Sequence, residues 1–374
     1  MKEKIIFVKY GSFSLVNAKV EAILREWFPE RELVVYDAAK DILASYPIES
    51  AWLRVFASTR DLSAFFKGRH SPWDFVFRHT RAWRLIGDWI SRKIDPAETA
   101  FVFQTQGLFD ASHPEVPFFI YTDHTRAAHR RQPGGGTPAR VGKGWEAAEQ
   151  NLYRKAATIF TLSKFCEESL VEDYAIPQEK VFTVSTGINI DMPPDLPDRS
   201  KTNPVILFVG VEWETKGGPE LWSAFAKVRL RRPDAELWIV GARPDLRGEG
   251  VRFFGRVDRE QMAQLFQEAR LLCVPSRIER ASMVALDAAA HGLPVISTPH
   301  GAGAERVQGG VTGLLVDPCN TDSFAEGILR LLDDPDLAAE MGKAGRRMVE
   351  ESFTWKAVGK KIGDRIRSSI GPTS

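Results

Sequence analysis

Short apolar runs alternate with helix-length segments along almost the whole chain, and that alternation is the strongest constraint on its fold. Residues 5–8, 33–36, 101–103, 118–121, 157–161 and 181–184 are compact apolar stretches bounded by turns. Such runs suit parallel strands buried on both faces, because each face of the sheet must then meet a helical layer. After the turn at Gly11, residues Val16, Val20, Ile23, Leu24 and Trp27 fall at helical spacing, so the first strand is predicted to feed a helix. A second series, at 205–209, 237–240, 251–254, 271–274, 295–297 and 314–316, repeats the pattern. Between the two lies 192–203, with three prolines and no periodicity, which reads as a linker. The prediction is an α/β chain of two Rossmann-like, doubly wound domains facing each other across a cleft.

Composition narrows the function. A chain of 374 residues with 44% apolar and 26% charged residues is long enough for two cores and is not disordered. Its 50 basic and 49 acidic residues leave a formal charge of +1, which argues against a nucleic-acid partner. Cys166, Cys273 and Cys319 are too dispersed for a disulfide framework or a zinc cluster. The first residues read as a strand rather than a signal peptide, and no run has the length to span a bilayer. A cytoplasmic location is expected.

Two segments carry chemistry. In 275–295, Glu279 stands in a loop before a helix of strong formers, and Asp287 follows about two turns further on. The amides of Ala281, Ser282 and Met283 lie at the helix start, where free N–H groups and partial positive charge suit a phosphate. One carboxylate before that seat and one behind it are placed to grip hydroxyls on either side of a diphosphate. In 205–218, a strand and turn lead from Gly210 to Lys216, a point charge suited to a phosphate whose charge grows as its bond to a sugar breaks. Each residue also has an ordinary use: Glu279 as a helix cap, Asp287 and Lys216 as solvated side chains. By contrast, Gly142-Lys143 is no phosphate loop, because Thr137 and Gly144 occupy the positions that need glycine and a hydroxyl.

In this arrangement the second half resembles glycosyltransferase family 4, retaining enzymes of the GT-B fold, over roughly 205–355. Glu279 and Asp287 match the E-x7-E signature, with aspartate in the second place, and Gly210 and Lys216 match the Gly-x5-Lys loop. The stretch 251–257, with Arg256, resembles the strand and loop at the nucleobase, and 292–298 and 313–318 complete the ordered set. Val211 stands where many members carry arginine, leaving Arg277 or Arg280 to assist the lysine. In the first half, His124 after 121–123 and Gly11 after the first strand resemble an active-site histidine and a tight loop near the sugar-phosphate.

The resemblance implies Glu279, Lys216 and His124 as catalytic residues. Gly11, Gly210, Arg256, Arg280, Ala281, Ser282, Met283 and Asp287 are implied as donor-binding. It further implies an acceptor domain at 1–195 and a donor domain at 204–354, with 355–374 crossing back to the first. The expected reaction is transfer from a nucleotide-sugar donor, a UDP- or GDP-sugar, to a saccharide or lipid-linked acceptor, without metal or cofactor. Polysaccharide, lipopolysaccharide or glycolipid synthesis is the expected setting. The basic and Trp-rich stretch 51–93 reads either as a packed helical insert or as a peripheral membrane contact at the inner face. The acid-free stretch 124–145 reads as a loop over the acceptor side or an idle surface loop. Alternative readings are a sugar-nucleotide epimerase, a phosphorylase or a catalytically silent sugar-binding protein. Finally, Val358, Ile362, Ile366 and Ile370 recur every four residues, predicting an amphipathic helix with Thr354 as its N-cap.

Overall fold

A computed structural model describes residues 3–49, 51, 77, 79–132, 144–198, 203–317 and 320–371. Much of 51–93, the centre of 124–145 with Gly142 and Lys143, the end of the 192–203 segment, and Cys319 lie outside the described residues.

The chain divides into two compact units. Unit 1 contains β1 (Lys4–Lys9), α1 (Val16–Trp27), β2 (Glu32–Asp37), α2 (Thr80–Ser91), β3 (Thr99–Thr105) and β4 (Phe118–Thr122). It continues through α3 (Arg126–Arg131), whose last residue already belongs to unit 2, then α4 (Trp145–Lys155), β5 (Thr158–Thr161), α5 (Lys164–Glu172) and β6 (Val181–Thr183). Unit 2 contains β7 (Val205–Gly210), α6 (Gly218–Arg231), β8 (Glu236–Gly241), β9 (Val251–Gly255), α7 (Arg259–Glu268) and β10 (Leu271–Val274). It ends with α8 (Met283–Ala290), β11 (Val295–Ser297), α9 (Gly303–Arg306), β12 (Gly313–Leu315), α10 (Thr321–Asp333) and α11 (Pro335–Ser352). A final helix, α12 (Trp355–Ile370), contributes to both units.

Each unit holds one parallel six-stranded sheet, ordered β2-β1-β3-β4-β5-β6 in unit 1 and β12-β11-β10-β7-β8-β9 in unit 2. Every apolar run picked out in the sequence becomes one of these strands. Central strands such as β3, β4 and β10 are buried along nearly their whole length, which is why they lack a polar face in the sequence. Helix starts follow local chemistry. Ser163 accepts from the Cys166 amide at 3.1 Å, Asp258 from Gln261 at 2.8 Å, and Asp334 from Leu337 at 2.9 Å just ahead of Pro335. Among the described residues no helix is long and apolar enough to cross a membrane.

The unit boundary differs from the expected one. It falls at Val184/Ser185, before the proline-rich segment, rather than after residue 195. The reason is a set of bonds that commits the intervening residues to unit 2. The Ile188 amide donates to the Phe353 carbonyl at 3.2 Å, and the Trp355 indole donates to the Ile188 carbonyl at 2.8 Å. The amides of Asn189 and Ile190 donate to Asp287 at 2.6 and 3.3 Å. Helix α12 starts in unit 2, where the Thr354 hydroxyl caps it by accepting from the Ala357 amide at 3.1 Å, and from Gly359 onward it belongs to unit 1.

There Ile362 and Ile366 are buried, and Gly363 lies against Trp27 of α1. A Cβ on Gly363 would stand 2.4 Å from Trp27 Cε3, so the close approach of the two helices requires glycine. Gly363→Val should therefore cost about 1–3 kcal/mol through overpacking. Denaturant unfolding followed by Trp fluorescence checks this; a midpoint equal to that of the native chain would show that Trp27 gives way freely.

Candidate functional site

In unit 2 the strand order reverses between β7 and β10. Connections from these two neighbours leave to opposite sides of the sheet, so a crevice opens beyond their carboxyl ends, the usual ligand position in such sheets. The loop after β7 carries Gly210 and Lys216, and the loop after β10 carries Pro275 to Ser282. Both candidate motifs therefore meet at this crevice.

The glycine-to-lysine spacing has a steric basis. A Cβ on Gly210 would lie 3.0 Å from Lys216 Cγ and 3.2 Å from its Cβ, so glycine lets the lysine stem fold back over the strand end. Gly217, at φ +73°, lies so close to the second loop that a Cβ would stand 1.8 Å from the Pro275 carbonyl oxygen. The two loops are thus locked together.

Lys216 Nζ reaches Glu279 Oε2 at 2.9 Å, and the Ser276 hydroxyl donates to the same oxygen at 2.9 Å. Glu279 Oε1 accepts from the Ser282 amide at 2.9 Å. The Glu279 amide donates to Gln132 Oε1 at 2.6 Å. Burial, which leaves Glu279 5% exposed, acts to raise its carboxyl pKa. The Lys216 charge and the three donors outweigh this and hold it below the ordinary glutamate value. Glu279 is thus both an ion-pair partner and a local cap for the chain entering α8.

Ser282 sits just before α8 in a left-handed conformation, at φ 47° and ψ 46°. For a non-glycine residue this costs on the order of 1–2 kcal/mol. Its hydroxyl is buried and has no partner among the described residues. The Ser282 amide is taken by Glu279, whereas those of Met283 and Val284 begin the helix without a described acceptor. The Ala281 carbonyl accepts from Arg306 Nε at 3.1 Å.

The nearby arginines differ. Arg277 is committed to Glu220, with Nε to Oε1 at 2.9 Å, so it does not replace the arginine missing at Val211. Arg280 is exposed and forms no ion pair among the described residues. Arg256 is exposed just past β9.

Asp287 is neither solvated nor idle. It is 6% exposed, and its Oδ1 accepts from the Asn189 and Ile190 amides. Burial pushes its carboxyl up to about 6, against the opposing pull of those two amides and of Arg259.

Gly11 and His124 stand in unit 1. Gly11 follows β1, where the order of that sheet reverses between β1 and β3. Its amide donates to Asp37 Oδ2 at 3.2 Å and its carbonyl accepts from Asn17 Nδ2 at 2.8 Å. Phe13, Ser14 and Leu15 then take left-handed conformations in succession. His124 lies between β4 and α3, its ring edge-on to His129 at 5.6 Å, and its carbonyl accepts from the Thr122 hydroxyl at 3.2 Å.

The structure thus gathers Lys216, Glu279, Ser282 and Met283 in unit 2, with Asp287 bracing the same helix from behind. Sequence reasoning missed Ser276 and Gln132. Ser276 was findable three residues before Glu279; Gln132 is 147 positions away and carries no sequence signal. Among the described residues no group of three or more His, Cys, Asp and Glu side chains could hold a metal ion.

Comparison with known proteins fits this geometry. Residues 203–334 match the family model of glycosyl transferases group 1. Those residues, about a third of the chain, resemble a group 1 glycosyltransferase domain. The match includes both loops, the ion pair and Asp287. A GDP-mannose-dependent monoacylated alpha-(1-6)-phosphatidylinositol monomannoside mannosyltransferase of Corynebacterium glutamicum is 33% identical over 183 residues, covering 45% of this chain. The chain spans about half the length of that relative, 48%. Sucrose-phosphate synthase from Thermosynechococcus elongatus superposes with a TM-score of 0.72 at 18% identity, covering 98% of this chain and 99% of that one. Anabaena HepE, solved in complex with UDP and glucose, gives 0.67 at 16% identity, covering 98% and 100%. The fold is the α/β GT-B fold.

The burial of Asp287 makes its ionisation count toward stability. Its folded-state pKa of about 6 lies above that of an unfolded aspartate, about 4. Its contribution to stability is therefore complete below about pH 4 and is lost as pH rises through about 6. Asp287→Asn keeps an oxygen for the two amides and cannot ionise. At pH 8 it should be more stable than the native chain by about 1–3 kcal/mol, with the difference gone at pH 4. Chemical denaturation across that pH range checks it; a destabilised variant at pH 8 would mean that the charged form is the favoured one.

Proposed function

We propose that the chain is a retaining glycosyltransferase that moves a sugar from a nucleotide-sugar donor, a UDP- or GDP-sugar, to a hydroxylated acceptor. The observation that carries this reading is the Lys216–Glu279 pair at the switch point of a group 1 domain, next to the start of α8. An anion there meets the ammonium of Lys216 and the open amides of Met283 and Val284. In the proposed reaction these groups, without a metal ion, offset the charge that develops on the diphosphate as the glycosidic bond breaks. Glu279 addresses hydroxyls of the donor sugar, while Asp287, whose Oδ1 is spent on two amides, offers Oδ2 to the ribose. By family resemblance Gly11 serves the sugar-phosphate and His124 the sugar or acceptor. The leaving diphosphate then takes the proton of the attacking hydroxyl on the same face, so configuration is kept.

The relatives support the donor class. One is GDP-mannose-dependent and acts on a phosphatidylinositol mannoside, and another was solved with UDP and glucose. A lipid-linked or saccharide acceptor in cell-envelope glycan synthesis, reached from the cytoplasmic side, is the setting we assign. Hydrolysis of UDP-glucose and GDP-mannose without acceptor, with proton NMR of the released anomer, tests the reaction. Release of the opposite anomer would overturn retention, and inertness toward every nucleotide sugar would overturn the enzyme reading.

Two substitutions test the roles. Lys216→Ala should remove about 2–4 kcal/mol of transition-state stabilisation. It should also shift the acid limb of the pH–rate profile upward, because Glu279 loses the charge that holds its pKa down. Near-native turnover at saturating donor would refute the role. Glu279→Gln should lower turnover far more than affinity for the free nucleoside diphosphate, measured by calorimetry. An equal loss in both would move Glu279 to a phosphate-organising role.

A further inference from the structure

We infer that Gln132 is a donor-binding residue, its side-chain amide donating to a hydroxyl of the transferred sugar; this rests on the reading of the site as a nucleotide-sugar site. Gln132 follows α3 directly, belongs to unit 2 and is 4% exposed. Its orientation is fixed by chemistry. The Glu279 amide is a donor, so the atom 2.6 Å away must be the carbonyl Oε1 of the side chain. The other end, Nε2, is then a pure donor with two hydrogens. It is buried and has no hydrogen-bond partner among the described residues.

A buried donor left unmade costs about 1–3 kcal/mol, so its retention beside a catalytic carboxylate calls for an acceptor supplied from outside the chain. Two further features point the same way. A Cβ on Gly301 would lie 3.0 Å from Gln132 Oε1 and 2.2 Å from the Glu279 carbonyl oxygen, so the corner that holds this amide exists only because residue 301 is glycine. The Ser282 hydroxyl, 2% exposed and on the loop whose amide binds Glu279 Oε1, is a second buried polar atom without a partner among the described residues. A donor-only amide and a hydroxyl flanking Glu279 match a polyhydroxylated ligand, whose oxygens accept from the one and exchange bonds with the other. The phosphate is served by Lys216 and the helix start, which leaves the sugar as the partner of Gln132.

Calorimetry on the full chain with UDP, GDP, UDP-glucose and GDP-mannose as probes decides the matter. Gln132→Glu keeps an oxygen for the Glu279 amide and removes the donor; Gln132→Leu removes both without adding charge. Each variant should bind the nucleotide sugar that the native chain prefers about tenfold more weakly, and the matching diphosphate within about twofold. A role confined to bracing Glu279 predicts instead that Gln132→Glu binds like the native chain, and that result overturns the inference. Equal losses for diphosphate and sugar nucleotide in both variants overturn it too, by assigning Gln132 to the phosphate or to the scaffold. Should Gln132→Leu fail to fold, Gln132→Glu decides alone. If the native chain binds none of the four probes, the nucleotide-sugar reading falls and this inference with it.

Discussion

Burial alone would push the Glu279 carboxyl up, and the Lys216 ammonium, 63 positions earlier in the chain, is the main influence that holds it down instead. Much of unit 2 serves that meeting. Strands β7 and β10 must be neighbours, Gly210 must leave room for the lysine stem, and Gly217 must sit against Pro275. The pair also alters how the lysine is seen by a ligand. Part of its field is already directed at Glu279, so the exposed Arg280 and the open amides of Met283 and Val284 carry more of the attraction for an anion than the motif alone implies. Removing Lys216 strands Glu279 as a buried, uncompensated charge, at a cost of about 3–5 kcal/mol, whereas the half-buried Lys216 can turn to solvent when Glu279 is lost. In the proposed function, binding chemistry and local stability share the same atoms.

Asp287 shows the complementary arrangement. Its hydrogen-bond partners are backbone amides rather than a cation, and burial outweighs their pull and leaves the carboxyl at about 6, whereas Glu279 is held low. Two carboxylates eight positions apart on one loop-and-helix segment thus reach neutral pH by different routes: one charged through an ion pair, the other charged against the resistance of its surroundings. The same bonds fasten residues 189 and 190 to α8 and so draw the stretch after β6 into unit 2.

How much of this was legible in the sequence depends on the range of the interaction. The strands could be read because parallel strands buried on both faces must be compact apolar runs. Helix caps such as Thr354, and the pairing of Glu279 with a helix start, could be read because their partners lie within a few residues. Lys216 and Glu279 stood out by spacing within their own loops, yet nothing local revealed that they touch. Gln132 was invisible, since its bond to Glu279 spans 147 positions and glutamine has no periodic or motif signature there. The division at Val184/Ser185 has a related basis: prolines mark where regular structure stops, whereas membership of a unit follows distant bonds such as those to Asp287 and Phe353.

The division of α12 at Val358 and Gly359 bears on how the protein is made. Unit 1 is not a continuous stretch: part of its surface, including α1 around Trp27, is completed by a segment synthesised after all of unit 2. During vectorial synthesis the first sheet can form early, but its indole at Trp27 stays uncovered while the rest of the chain is translated. The second unit carries no such delay from its partner, because its sheet is built wholly from one later stretch. Unit 1 can therefore be completed only after the last residues of unit 2 have been made.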